Sequence, residues 1–425
     1  MRFATLALTF GWLASAAAQA QDAPITLASE TAPPAALAGA APPTPSIVVP
    51  PSDPLPATAL DGIANSNAWA MNGPRAWFNA EYLLWWTTPM NTPGLIQTVP
   101  TATALSVFGT NSSLPPGAAT QVFPDSKLNF GAFSGARLSA GMNFDGFGVD
   151  ASVFYLPQKT SSATLFNDGT PYSIAATYIR AGTGQPVTLL ASLAGQATGG
   201  ISSTITSRLY GADANVRLPF FNLFTDYTDA LVGFRYFNLQ DSITTNLQSN
   251  LASGASLQVQ DSIQTHNNFY GAQVGLSGVI NGCDRGFGLN ATGKLGLGDM
   301  RETAILNGSN TIALPGAPPS TQNGGLYTSG LNNGTFSRDR FAMLYEQNVN
   351  LTYNFNRWTQ VYIGYSIIWV SSVQRAGEAI NPVINDSNLR FIANAPANNT
   401  PQQPFQWKAN DFWAQGITFG LRLQY

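Results

Sequence analysis

Phe412-Trp413-Ala414-Gln415-Gly416-Ile417-Thr418-Phe419-Gly420-Leu421-Arg422-Leu423-Gln424-Tyr425 ends the chain, and its alternation with a period of two decides the fold class. In an extended strand Trp413, Gln415, Ile417, Phe419, Leu421, Leu423 and Tyr425 share one face, while Ala414, Gly416, Thr418, Gly420, Arg422 and Gln424 share the other. The first face is nearly all apolar and carries aromatic residues at both ends; the second is small or polar. A soluble sandwich would produce the same alternation. The aromatic ends match the girdles at which a bilayer meets water, so the segment reads as a membrane-crossing strand. Its terminal tyrosine fits the aromatic-ended strand by which such barrels are usually recognised for insertion.

The same pattern recurs upstream. Phe78, Ala80, Tyr82, Leu84 and Trp86 oppose Asn79, Glu81 and Leu83; Tyr210, Ala212, Ala214, Val216 and Leu218 oppose Gly211, Asp213, Asn215 and Arg217. Further candidates begin near Ala136, Phe147, Ala230, Tyr270, Phe287, Val349 and Val361, each close to the roughly 9–11 residues that cross a bilayer obliquely. The connections alternate strictly: long ones at 88–134, 157–204, 240–265, 299–340 and 372–411, short ones at Asp145-Gly146, Pro219–Thr228, Asn281–Gly286 and Asn354–Arg357. Short periplasmic turns and long external loops explain that rhythm. The expected fold is all-β, a transmembrane antiparallel up-and-down β-barrel of about ten strands over 76–425. Tyr172 to Ser192 and Ser242 to Gln260 offer two further possibilities: strands extended above the membrane, or hairpins that raise the count to about twelve.

Composition points the same way. Charged residues are 10% of the chain, against roughly 25% in a soluble protein, yet mean hydropathy is zero. Ser, Thr, Asn, Gln and 40 glycines replace the charge. A net charge of −3 argues against a nucleic-acid partner, which would need clustered Lys and Arg. Arg2, the apolar run Phe3 to Leu13 and Ala18-Gln19-Ala20 read as a signal peptide over 1–20, and the Ala/Pro-rich stretch 21–75 as a disordered linker. After the signal peptide no run of about 18 apolar residues exists, so strands must do the crossing. Cys283 is alone and matches neither a disulfide nor a metal pattern.

Five phrases carry a resemblance. They are Ala80-Glu81-Tyr82-Leu83-Leu84-Trp85-Trp86, Gly233 to Ser242, Asn268-Phe269-Tyr270-Gly271-Ala272-Gln273-Val274-Gly275, Gly364-Tyr365-Ser366 running into Ser371-Ser372-Val373-Gln374-Arg375, and Phe412-Trp413-Ala414-Gln415-Gly416. In this order they resemble the putative beta barrel porin-7 family of outer-membrane proteins, across Trp77 to Tyr425. Arg375-Ala376-Gly377 lacks the family's proline, and the chain ends on Tyr425 where Phe is usual. The resemblance implies an outer-membrane barrel of a diderm bacterium. It implies no catalytic residue.

Candidate chemistry is sparse. Gly288 to Lys294 fits GxxxxGK, but Leu295 stands where Ser or Thr is needed and the segment alternates like a strand. His266, the only histidine, is tied by no motif to a nucleophile or acid, and reads as a rim residue. The distinctive set is Glu81, Arg137, Asp150, Asp213, Arg217, Arg235, Lys294, Glu346 and Arg422, all on the polar face and expected to line the lumen. They imply either a salt-bridged plug or a channel lining that selects solutes. Trp77, Tyr82, Trp86, Trp369, Trp413 and Tyr425, with Phe78, Trp85 and Phe412 beside them, read as interface anchors. The resulting expectation is a narrow porin-like channel for small solutes, not an enzyme, with a structural or surface-interaction barrel as the alternative. Membrane lipids and the assembly machinery are the expected partners; no cofactor or metal is expected.

Overall fold

The computed structural model describes residues 75–425 apart from 109–112, 221–224, 281–285, 390, 393–399 and 401–403. The signal-peptide and linker expectations lie outside the described residues, Arg75 excepted. Ten antiparallel strands form the wall: β1 (Ala76–Thr87), β2 (Phe133–Phe144), β3 (Phe147–Asn167), β4 (Ala197–Phe220), β5 (Tyr227–Leu251), β6 (Ser256–Ile280), β7 (Gly286–Ala313), β8 (Gly334–Asn354), β9 (Thr359–Gln374) and β10 (Ala409–Gln424). Each pairs with its neighbours in sequence, and β1 pairs with β10 from Trp77↔Gln424 to Thr87↔Ala414, which closes the barrel. Closure removes both sheet edges, which is what a bilayer requires of a strand-built span.

The wall is taller than a membrane. β4 to β7 run for 24, 25, 25 and 28 residues, against the roughly 9–11 needed to cross. The reason is written in the parity of their side chains. Along β4 the inward row reads Ile201, Ser203, Ile205, Ser207, Leu209, Gly211, Asp213, Asn215, Arg217; the outward row reads Ser202, Thr204, Thr206, Arg208, Tyr210, Ala212, Ala214, Val216, Leu218. Near Tyr210 the polarity of the two faces exchanges. β5 repeats it: Leu239, Ile243 and Leu247 point inward above Arg235, while Gln240, Ser242, Thr244 and Asn246 point outward above Phe234 and Tyr236. Below the exchange the wall is apolar outside and polar inside, as lipid requires. Above it the wall is polar outside and apolar inside, as water requires.

The apolar upper interior is filled by the loops. Ile96–Pro100, Thr120–Phe123, Tyr172–Arg180, Pro186–Leu190 and Val383–Ile384 form a five-stranded sheet of their own. Its Ile96, Ile174 and Tyr178 join the wall residues Ile205, Ile243, Ile263 and Phe237 in one buried cluster. Of the two possibilities for the ambiguous segments, Ser242 to Gln260 is strand extension, whereas Tyr172 to Ser192 makes a hairpin inside this sheet rather than in the wall. The count therefore stays at ten.

Candidate functional site in the barrel interior

The lower interior is crossed by a chain of alternating charges. Glu81 on β1 lies 3.6 Å from Arg137 on β2, and Arg137 reaches Glu346 on β8 at 2.9 Å. Glu346 accepts from Arg235 on β5, Arg235 also meets Asp213 on β4 at 3.1 Å, and Lys294 on β7 closes on Asp213 at 2.8 Å. Six strands are tied, and β2 and β8 are joined directly through the lumen. Tyr362 donates to Glu81 at 2.7 Å and Ser152 to Asp213 at 2.7 Å, so the carboxylates receive neutral donors as well. Arg235 is 0% exposed. Below this chain, toward the periplasmic end, Arg217 pairs with Asp229 at 3.0 Å through Nε and with Asp150 at 3.5 Å.

All nine charges singled out in the sequence thus project into the interior. Eight are joined in ion pairs and Arg422 stands apart. Asp229 was missed, although it shares the parity of Gly233 and Arg235; a strand start read at Ala230 falls one residue too late to include it. The uncharged Asn215, Gln273 and Asn348, on the polar rows but outside the charged set, join the network by hydrogen bonds with Asp213, Asn215 and Arg137 respectively.

Three aromatics depart from the expected girdle. Trp77, Trp85 and Phe412 point inward, on the rows of Asn79 and Thr418, while Tyr82, Trp86, Trp369, Trp413 and Tyr425 lie on the outward rows. Trp85 is fully buried and lies 5.3 Å from the Arg137 guanidinium, with Phe154 at 5.8 Å from the same group. Trp77 faces Arg422 at 4.8 Å and Arg217 at 6.0 Å. The inward turn of Trp77 is possible because its neighbour is Gly141, where a Cβ would stand 2.5 Å from the indole. Stacking a desolvated guanidinium on an indole is worth about 2 kcal/mol, which explains why these rings sit on cations rather than in the interface.

Higher up, buried polar clasps hold the loops in the barrel. Arg375 pairs with Asp241 of β5 and donates to the Thr88 carbonyl at 3.2 Å. Asn267 of β6 exchanges two hydrogen bonds with the Gln374 backbone at 2.9 and 2.8 Å. Just past the Val383–Ile384 strand, Asp386 accepts from Arg180 at 2.7 Å and from Tyr178 at 3.0 Å, both of the inner sheet, and burial beside this carboxylate pushes the Tyr178 hydroxyl above its ordinary value. Asp261 captures the backbone N–H groups of Leu326, Tyr327 and Thr328 at 2.9–3.1 Å. Glu81, Arg235, Asp241 and Arg375, the four charged residues in the phrases that carried the family resemblance, are therefore all interior ties.

The GxxxxGK segment lies wholly within β7, with Lys294 engaged by Asp213, and offers no helix N-terminus to a phosphate. His266 sits on the outward row of β6, opposite Gln240 and Thr303, away from the interior carboxylates.

The family model described as putative beta barrel porin-7 matches residues 77–425. The chain belongs to this family. The porin-7 match covers the whole barrel and all the interior charges above. Among solved structures, the outer-membrane protease OmpT from Escherichia coli is similar at 8% identity, covering 82% of this chain and 96% of that one with a TM-score of 0.39. A FadL homologue from Pseudomonas aeruginosa is similar at 8% identity, covering 84% and 93% with a TM-score of 0.21. No curated protein matches this porin-7 chain.

Proposed function

We propose that this porin-type outer-membrane protein is a closed barrel, whose lumen is sealed at rest and whose tall outer rim and loops are what it presents at the cell surface. The observation that carries the reading is Arg235, which is fully buried and bridges Asp213 and Glu346 across the lumen. A solute passing that level would have to break both of these ion pairs and then displace the packed apolar cluster above. The geometry favours this structural or surface-interaction reading over the narrow channel for small solutes. A ten-stranded barrel supports it too, because its interior is intermediate between the side-chain-filled eight-stranded case and an open porin. Within the reading, the outward apolar rows contact lipid in the outer membrane of a diderm bacterium, and the C-terminal strand engages the assembly machinery. Recording from purified protein in planar bilayers tests it. Wild-type protein should give no steady conductance above the bare membrane. A sustained ohmic current that scales with inserted protein would sink it.

A further inference from the structure

Reaching from the charge chain toward the periplasmic end lies a polar cavity of about 110 Å³, lined by Trp77, Asn79, Arg217 and Arg422 among others and also by the carboxylates Glu81, Asp150 and Glu346, each of which is held in an ion pair. This is room for several waters or for one small ligand. The charges around it are unevenly served. The chain from Glu81 to Lys294 holds three carboxylates and three cations, and Arg217 has two carboxylates of its own. Arg422 makes no ion pair with any described residue. It is held by its cation–π contact with Trp77, and its buried Nε has no hydrogen-bond partner. Asn79, which faces it across the β1–β10 register, likewise has a buried Oδ1 without a partner. A guanidinium keeps a planar fork of donors that matches two oxygens of one anion. Here that fork opens on a cavity, over an indole floor, beside an acceptor that lacks a hydrogen-bond donor.

We propose that this cavity is a binding site for a small oxyanion, a carboxylate or phosphate group, centred on the guanidinium of Arg422 with Trp77 beneath it. Arg422 supplies two parallel N–H donors to the anion, whereas the charge of Arg217, which also lines the cavity, is already met by Asp150 and Asp229. Asn79 Oδ1 accepts a hydrogen bond from a ligand hydroxyl, so a hydrogen phosphate or a hydroxy acid satisfies the site better than a simple carboxylate. All ten wall strands contribute to the lining, and Trp77, Arg217, Gln360 and Arg422 lie close to the short-turn ends of theirs, which places the ligand's entry on the periplasmic side. The site does not depend on whether the barrel conducts.

Isothermal titration of the full-length protein in detergent tests the proposal, with sodium phosphate, sodium lactate and sodium acetate as probes. Sodium chloride balances ionic strength throughout. One saturable event is expected, strongest with phosphate or lactate, and accompanied by a change in tryptophan fluorescence that Trp77→Phe abolishes. Arg422→Gln should weaken binding at least tenfold, while Arg422→Lys, a point charge without the fork, should lose less. Heat-modifiability on gels establishes that each variant is folded. If Arg422→Gln fails that check, Trp77→Phe carries the decision, with about fivefold weaker binding expected because the cation–π floor is reduced. No saturable heat with any of the three probes overturns the proposal, as does unchanged affinity in a folded Arg422→Gln or, in its place, unchanged affinity and fluorescence response in Trp77→Phe.

Discussion

Replacing Arg235 by alanine removes the cation that two carboxylates share. In the wild type the chain Glu81–Arg137–Glu346–Arg235–Asp213–Lys294 is balanced, three negative and three positive. After the substitution Glu346 keeps only Arg137 and Asp213 keeps only Lys294, and one negative charge is uncompensated in a site that is itself fully buried. Each close pair has a gross attraction of about 5 kcal/mol at an effective dielectric constant near 20. Much of that attraction offsets the desolvation of the partners. Breaking one side of a buried network costs about 3–5 kcal/mol, mainly through the charge left behind. Arg235→Ala should therefore lower the unfolding free energy by about that amount, read as a shift in the urea midpoint of the detergent-folded barrel and as loss of heat resistance on gels. The double variant Arg235→Met with Glu346→Gln restores charge balance and fills the stem volume, and should recover a large part of the loss. An Arg235→Ala protein with undiminished heat resistance and a raised bilayer conductance would refute the sealed-network reasoning and return the charges to the role of a channel lining.

Phe237 lies in the apolar layer just above that network, fully buried, with its ring 6.2 Å from that of Phe412. Phe237→Ala should cost about 3–5 kcal/mol by the same urea measurement, and a loss below about 1 kcal/mol would mean the upper interior is not packed. Tyr178 sets a pH limit on the inner sheet. Burial raises its folded-state value above the ordinary one, so its contribution is intact below about pH 10 and erodes as the pH climbs beyond that. Subtracting the ultraviolet titration of Tyr178→Phe from that of wild type should leave no tyrosinate signal between about pH 9 and 11.

The membrane half of the fold was legible because lipid imposes a simple rule on one face. The alternation of Phe419, Leu421, Leu423 and Tyr425 with Gly420, Arg422 and Gln424 fixes both the strand and its lipid-facing side. The interior charges were legible for the complementary reason: in a chain with so little charge, a residue such as Arg235 on the polar row has only the lumen to occupy. The upper half was harder to read. Ile243, Thr245 and Leu247 alternate with Thr244, Asn246 and Gln248 as regularly as any membrane strand, but with the apolar row on the face that carries Arg235 below. A pattern search that expects apolar residues outside ends the strand where the sign reverses, and so it assigns these residues to a loop. Trp77, Trp85 and Phe412 are misplaced by residue type alone. Tryptophan and phenylalanine at strand ends suit an interface, yet their parity with Asn79 and Thr418 already puts them inside.

The reversal of polarity also bears on what seals the lumen. A barrel closed only by ion pairs would have a water-accessible mouth on the outer side, and its charges would be screened by the salt that entered. Here the apolar cluster of the wall and the inner loop sheet covers that side, with Leu239, Ile243 and Ile263 of the wall all buried. Excluding water from above lowers the local dielectric and strengthens every pair beneath, including those of Arg235 and Glu346. The loops in turn stay inward because Asp241 and Asn267, on the same strands as Arg235 and Gln273, hold Arg375 and Gln374. The two layers thus depend on each other. Weakening the Arg375–Asp241 clasp admits water to the charge chain below, so its cost appears at both levels and exceeds that of one ion pair.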